Sequence, residues 1–218
     1  MHRRFSIPSA NGRSRSLQIE RRNAANDSKL IRGYGAVFYD ASNPDTEYWL
    51  WDDIVERLMP GCFDRVIKEN QDVRCLFNHD MNWVLGRTLS GTCRIGTDAT
   101  GLWYECDESA ADPLWVSVAQ KINRGDVTGS SFSFYPSSTI WETIKAEGKT
   151  YDVRWIKEVS VCYDLGPVTF PAYAAATSGR SIEAQERQLL LAERNSLIDD
   201  GEELSMRMRE IEFFGGDS

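Results

Sequence analysis

Serine, histidine and carboxylate side chains are the groups in this sequence that could support nucleophilic chemistry. The stretch GSSFSFYP, residues 129–136, contains three serines. A serine nucleophile needs a base within hydrogen-bond reach, and the base is usually held by a carboxylate. Only two histidines occur, His2 and His79. Because His2 falls in a segment that we predict to be disordered, a mechanism with a histidine base must use His79.

The same residue types also fit structural roles. A serine next to glycine is common in turns, and alternating Ser and Phe is typical of a half-buried strand. His79 follows a strand-like stretch and stands among polar turn residues, where a histidine often serves the structure alone. Residue types and spacing therefore leave the function of these side chains open.

The cysteine pattern argues against a metal or disulfide framework. The five cysteines are odd in number and show no CxxC spacing, so we expect reduced thiols, no metal and no cofactor. Cys75 is a rival nucleophile because it stands four residues before His79. Residues at that spacing on one strand are about 13 Å apart, which is too far for direct proton transfer.

Length and charge divide the chain into three parts. Its 218 residues suit one domain of ordinary size with additional segments at the ends. Residues 1–32 carry eight Lys or Arg against two Asp or Glu, and residues 181–218 carry ten acidic residues against four Arg. We predict a disordered basic tail at 1–28, a folded domain at 29–180 and an acidic helical tail at 181–218.

Composition also excludes some classes of function. No apolar run approaches the roughly 18 residues of a membrane span, and the basic N-terminal stretch lacks the apolar segment of a secretory signal. We therefore expect a cytoplasmic protein without a membrane partner. The basic tail is not accompanied by the sequence signals of a nucleic-acid-binding fold, so we do not expect nucleic acid as a partner.

The elements that must position these side chains are mostly strands. Runs of β-branched and aromatic residues, separated by Gly and Asp turn signals, predict an antiparallel sheet or barrel in the middle of the chain. A helix is predicted in DPLWVSVAQKINRGD, with Asp112 as the cap, Pro113 at the first position and Gly125 at the end. A shorter helix is predicted in PGCFDRVIKEN.

Four sequence blocks resemble, in the same order, the prohead proteases of tailed bacteriophages. The resemblance runs from about Arg32 to about Tyr173, and the blocks are EYWLWDDIVERLMPGCFDRVI, DVRCLFNHDMNWVLGRTLSGTCRIGTDATGLWYECD, VAQKINRGDVTGSSFSF and GPVTFPAY. These serine peptidases mature capsids and are similar in fold to the herpesvirus assemblins. The resemblance implies an α+β fold, with a mostly antiparallel β-barrel surrounded by helices.

The resemblance also assigns candidate catalytic residues. The histidine of the family's NHD block falls on His79, and the serine of a block similar to G-[small or Met]-S-F-[small]-F falls on Ser131. Ser130 takes the place of a variable small residue, while Ser133 would pack within a strand. The resemblance therefore implies that Ser131 is the nucleophile and His79 its base.

For the third catalytic residue the chain offers two candidate carboxylates. Family members carry an acidic residue before the PVTFPA block, which falls here on Asp164. Many have Glu followed by a hydrophobic residue and Ser, so Leu165 and Gly166 depart from the common form. Glu158 is the alternative carboxylate, because on a strand both acids would face the same side.

Arg87 is a candidate supporting residue or a plain surface arginine.

The implied chemistry is peptide hydrolysis. His79 would accept the Ser131 proton, Asp164 would orient the imidazole, and backbone N–H groups would form the oxyanion hole. The resemblance implies that the enzyme, inside the immature capsid in the host cytoplasm, cleaves the scaffold portion of the major capsid protein and itself. Its partners would be that protein and further copies of this chain. The alternative is a catalytically inactive capsid-assembly scaffold protein on the same fold.

Overall fold

Two β-sheets and a few short helices make up the described part of the chain. The computed structural model describes residues 2–5, 18–21, 29–146, 148–170 and 187–198. The strands of these residues are β1 (His2–Phe5), β2 (Gln18–Arg21), β3 (Lys29–Val37), β4 (Tyr48–Trp51), β5 (Ile54–Leu58), β6 (Arg74–Leu76), β7 (Val84–Arg87), β8 (Cys93–Thr97), β9 (Gly101–Asp107), β10 (Gly129–Ala146) and β11 (Lys149–Val168). The helices are α1 (Asp64–Lys68), α2 (Pro113–Arg124) and α3 (residues 187–198), with a short 3₁₀ turn at Pro44–Thr46.

The longer sheet is organised around the hairpin of β10 and β11. Its strands lie in the order β1-β10-β11-β5-β4, and β6 pairs with both β11 and β7. The short strands β5 and β6 run parallel to β11 and lie along the same edge of it, one near each end. This arrangement brings the chain that follows β6 next to the part of β11 that contains Asp164.

The second sheet is antiparallel, with the order β2-β3-β9-β8. The α+β class is therefore confirmed. The closed barrel surrounded by helices is not seen, because the hydrogen-bonded ladders of the described strands end at β1, β4 and β7 in one sheet and at β2 and β8 in the other. The helices among the described residues are too few to surround a barrel, and none is long and apolar enough to cross a membrane.

The main core includes side chains from both sheets and from α1 and α2. Phe132 of β10 packs edge-on against Tyr48 and Phe63, and stacks on Phe134 two residues along the same strand. Full burial of a large apolar side chain stabilises the fold by about 1.5–3 kcal/mol. The phenylalanines of the GSSFSFYP stretch therefore hold β10 in place, while Ser131 and Ser133, which alternate with them, face the opposite side of the strand.

Both predicted helices form, and α2 forms with the predicted ends. The Asp112 side chain accepts a hydrogen bond from the backbone N–H of Leu114 at 2.9 Å, and Pro113 takes the first position. Gly125 ends the helix with a left-handed φ of 80°, a conformation that glycine adopts without steric penalty. Helix α1 is shorter, at Asp64–Lys68.

Parts of both predicted tails are paired with the rest of the molecule. Within the segment 1–28, β1 pairs with β10 and β2 pairs with β3. Within 181–218, residues 187–198 are helical, and Glu193 accepts a hydrogen bond from the buried Arg154 of β11 at 2.6 Å. The other residues of these two segments lie outside the described residues, so the predicted domain boundaries stay a prediction.

Candidate active site

A turn with unusual backbone geometry positions His79. The chain leaves β6 after Leu76, and Asn78 and His79 follow with φ values of 56° and 57°. Left-handed φ values are uncommon for residues other than glycine and persist where the surroundings hold them. Two such residues in succession turn the chain sharply, so His79 does not continue the line of β6.

Asn78 ties this turn to the end of β11. Its backbone N–H donates to the carbonyl oxygen of Pro167 at 3.0 Å. Its side-chain amide donates to the hydroxyl of Thr169 at 3.1 Å and accepts from the Thr169 backbone N–H at 2.7 Å. The sequence pattern did not point to Asn78, although the tolerance of asparagine for left-handed geometry could have indicated a turn at this position.

Ser131 lies against the imidazole of His79. It is the third residue of β10 and is fully buried. Its Oγ is 2.5 Å from Nε2 of His79, and its Cα is paired across the hairpin with Gly166 of β11. The serine and the histidine are therefore in direct hydrogen-bond contact.

Asp164 contacts the other ring nitrogen of His79. Its Oδ1 is hydrogen-bonded to Nδ1 of the imidazole, and both side chains are buried. The backbone of Asp164 is paired with Ser133 of β10 on one side and with Arg74 of β6 on the other. The structure thus brings together the three residues that the resemblance selects, from β10, β11 and the turn after β6.

This arrangement determines which proton transfers are possible. With its proton on Nδ1, neutral His79 donates to Asp164, and Nε2 accepts the hydrogen bond of the Ser131 hydroxyl. A buried carboxylate is costly unless it is paired, and here the imidazole pairs with it. The ring is therefore oriented to remove the Ser131 proton while its cationic form is stabilised by Asp164.

Position 166 has room only for glycine, because the backbone of Leu76 lies against it. A Cβ at this position would lie 2.2 Å from the carbonyl oxygen of Leu76 and 3.0 Å from its backbone nitrogen. The backbones of β6 and β11 approach each other closely here, two residues beyond Asp164 and directly opposite Ser131. Gly166, which stands where many family members have Ser, thus occupies a position that has no room for a side chain.

Glu158, the alternative carboxylate, lies elsewhere. It accepts hydrogen bonds from Ser137 at 2.7 Å and from Arg65 at 3.3 Å, which together hold the pKa of this carboxyl below its usual value. Its side chain is 45% exposed. Asp164 is thus the carboxylate that meets the imidazole, and the expectation that both acids face the same side of the strand stays a prediction, because register shifts interrupt the β10–β11 ladder between them.

The other two serines of GSSFSFYP have different environments. The Ser130 hydroxyl is hydrogen-bonded to the Tyr104 hydroxyl at 3.0 Å. The Ser133 hydroxyl is fully buried and has no hydrogen-bond partner among the described residues. Ser131 is the serine of the three whose hydroxyl bonds to His79.

Arg87 belongs to a surface ion pair. Its guanidinium donates two hydrogen bonds of 2.6 Å to the carboxylate of Asp72, and its side chain is 39% exposed. These hydrogen bonds hold the pKa of Asp72 below its usual value. This geometry matches the surface-arginine interpretation of Arg87.

Cys75 is enclosed in the core. It is fully buried, and burial raises the pKa of its thiol well above the ordinary value. A thiol is nucleophilic as the thiolate, so this environment does not favour Cys75 as a nucleophile. The described residues contain no group of three or more His, Cys, Asp or Glu side chains that could hold a metal ion.

The chain matches a known protein family. The model of a family described as caudovirus prohead serine protease matches residues 15–188. No curated protein and no solved structure matches the chain. The matched range covers most of the chain and includes all three residues that meet at the imidazole.

Proposed function

The chain belongs to the caudovirus prohead serine protease family, and on that basis we propose that it is a serine endopeptidase of capsid maturation. Its substrates are the scaffold portion of the major capsid protein and the enzyme itself. It acts inside the prohead, within the host cytoplasm. The proposed nucleophile is Ser131, the general base is His79 and the orienting carboxylate is Asp164.

The contact of Ser131 Oγ with Nε2 of His79 at 2.5 Å is the observation that supports this function most directly. In the first step, Oγ attacks the scissile carbonyl carbon while its proton passes to Nε2. Asp164 stabilises the imidazolium that forms, and backbone N–H groups stabilise the oxyanion. Collapse of the tetrahedral intermediate breaks the C–N bond, and the amine leaves with the proton from Nε2.

The second half of the reaction returns the enzyme to its starting state. Water attacks the Ser131 ester and transfers its proton to Nε2 of His79, and the second tetrahedral intermediate then releases the new carboxyl group. The same proton returns to Oγ of Ser131. Every proton transfer of the cycle therefore passes through Nε2 of His79.

The test is cleavage of the major capsid protein with its scaffold segment, co-expressed with this chain and followed by mass spectrometry. We expect the wild type to remove the scaffold and to shorten itself. Ser131→Ala should lose cleavage by at least about 10⁴-fold in rate. Ser133→Ala is the matched control, because it removes a buried hydroxyl on the same face of β10 and should retain cleavage.

Three outcomes of this experiment would contradict the proposal. Full cleavage by Ser131→Ala together with loss in Ser130→Ala would assign the nucleophile to the neighbouring residue. Full cleavage by Ser130→Ala, Ser131→Ala and Ser133→Ala alike would exclude a serine of this stretch as the nucleophile. Intact scaffold with every variant and with the wild type, in shells that still assemble, would support the inactive scaffold protein instead.

A further inference from the structure

The first strand of the chain lies along the strand that contains Ser131. β1 is the outermost strand of its sheet and runs antiparallel to β10. Without β1, this part of β10 would be a free sheet edge beside the proposed nucleophile. The paired positions are His2 with Phe134, Arg3 with Ser133, Arg4 with Phe132 and Phe5 with Ser131.

This edge is also where a substrate backbone would have to come close. The scissile carbonyl must approach Oγ of Ser131 to about 3–3.5 Å, and the opposite edge of β10 is already paired with β11. An extended peptide binds a free edge by adding a strand through main-chain hydrogen bonds. Residue 5 is directly opposite Ser131, and residues paired in this way have Cα atoms about 4.5–5.5 Å apart.

The segment is tethered so that it can compete with such a peptide. Residues 6–17 link β1 to β2, and β2 is paired with β3 of the other sheet from Gln18↔Arg32 onward. A short covalent linker keeps a segment at an effective concentration on the order of millimolar near its site. β1 also precedes the range that the family model matches, which begins at residue 15.

We propose that the Ser131–Phe134 edge of β10 is a docking edge for an extended peptide strand, and that residues 2–5 occupy this edge in the resting enzyme as an internal competitor. A substrate strand must displace β1 before its carbonyl can reach Ser131. The proposal rests on the proposed function for the role of Ser131, while the occupancy of the edge by β1 is tested by binding alone.

The experiment measures binding of a fluorescently labelled synthetic peptide with the sequence of residues 1–10 to the full-length Ser131→Ala protein. The decisive variant adds Arg3→Pro and Arg4→Pro. Successive residues of an antiparallel strand direct their N–H groups to opposite sides, so one of two adjacent prolines removes a hydrogen bond to β10. If β1 occupies the edge nine-tenths of the time, freeing it tightens peptide binding by about tenfold.

The matched control is Arg3→Ala with Arg4→Ala in the same Ser131→Ala background. It removes the same two charges but keeps both backbone donors, so peptide affinity should stay close to that of the parent protein. Circular dichroism and thermal melting of all three proteins show whether the fold is intact. Tighter binding to the proline variant alone is the expected result.

Two results would overturn the proposal. Equal or undetectable binding to all three proteins would show that the edge does not accept a strand or that β1 does not block it. Equal tightening by the alanine and proline pairs would show that charge, rather than strand pairing, holds the segment. Because these proteins lack the Ser131 hydroxyl, the outcome does not depend on proteolysis. Failure of the proposed function appears separately, as uncleaved scaffold with the wild type.

Discussion

Nδ1 of His79 is hydrogen-bonded to Oδ1 of Asp164 although 85 positions separate the two residues in the chain. The contact arises because β6 runs parallel to β11 beside Asp164, so that the turn after β6 places the imidazole over this carboxylate. The same ring contacts Ser131 through Nε2. The orientation of the imidazole therefore depends both on its hydrogen bond to Asp164 and on the backbone geometry of the turn that carries His79.

Asp164→Asn should lower kcat by about 10³- to 10⁴-fold while the protein stays folded, because an amide favours the wrong imidazole tautomer and does not stabilise imidazolium. Glu158→Gln is the matched control and should change kcat less than about twofold, since Glu158 is bonded to Arg65 and Ser137 at the surface. Initial rates on a scaffold substrate provide the comparison. The opposite ranking of the two variants would transfer the orienting role to Glu158.

Asn78→Ala should lower kcat by about 10- to 100-fold with little change in KM, because the imidazole loses its alignment when the turn loosens. The substitution removes both side-chain hydrogen bonds to Thr169 and replaces a residue that tolerates left-handed geometry. Steady-state kinetics measure the two constants separately. A parallel rise in KM without loss of kcat would show that Asn78 acts on substrate binding instead.

Two further variants separate alignment from general loss of stability. Asn82 lies in the same loop, and its side chain donates a hydrogen bond to Asp80. Asn82→Ala should leave kcat nearly unchanged. Asn78→Asp keeps an acceptor for the Thr169 backbone N–H and should restore part of the rate. If all three variants lost the same fraction of activity, the loop as a whole, rather than Asn78, would be responsible.

Gly166→Ala should lower the free energy of unfolding by about 3 kcal/mol, because the new Cβ meets the Leu76 backbone and forces β6 away from β11. Gly125→Ala is the control for backbone strain alone. Its φ is 80° but nothing lies within 4 Å of the added Cβ, so it should cost about 1–2 kcal/mol. Denaturant unfolding measures both, and equal losses would contradict the steric argument.

Ser133→Ala should leave the free energy of unfolding unchanged or raise it, because a buried hydroxyl without a partner among the described residues destabilises the fold by about 1–3 kcal/mol. Ser130→Ala should instead destabilise the protein by about 1 kcal/mol, since it removes the hydrogen bond to Tyr104. Thermal and denaturant unfolding of the two variants test this order. A loss of stability in Ser133→Ala larger than in Ser130→Ala would mean that the Ser133 hydroxyl is bonded in solution.

Thiol reagents such as iodoacetamide should leave proteolysis intact at pH 7 and at pH 9, while a serine-directed phosphonate abolishes it. All five cysteines are free and buried, and burial holds the pKa of Cys75 well above its ordinary value. Its thiolate fraction therefore stays small even above the usual thiol pKa of about 8.5. All five thiols should react after denaturation. Inactivation in step with modification of Cys75 in the native protein would restore the cysteine-hydrolase alternative.

Local sequence patterns predicted the local elements well. Helix α2 has its predicted cap, first position and end at Asp112, Pro113 and Gly125, because these features depend on residues that are adjacent in the chain. The strand character of the middle of the chain also followed from local composition. The sheet arrangement did not, since β6 pairs with β11 at Arg74 and Asp164, which are far apart in the sequence. For the same reason the pairing of β1 with β10 had no signal in the sequence.

The sequence by itself determined which groups were available: one histidine outside the predicted tail, a small set of serines, and the family resemblance that pointed to His79 and Ser131. Only the tertiary structure decided which carboxylate meets the imidazole. Spacing along the strand does not separate Glu158 from Asp164, but in the fold the Glu158 side chain is 45% exposed and bonded to Arg65 and Ser137, whereas Asp164 is buried against His79. The difference arises because helix α1 places Arg65 beside Glu158 and the turn after β6 places His79 beside Asp164, and neither placement is encoded in the spacing along β11.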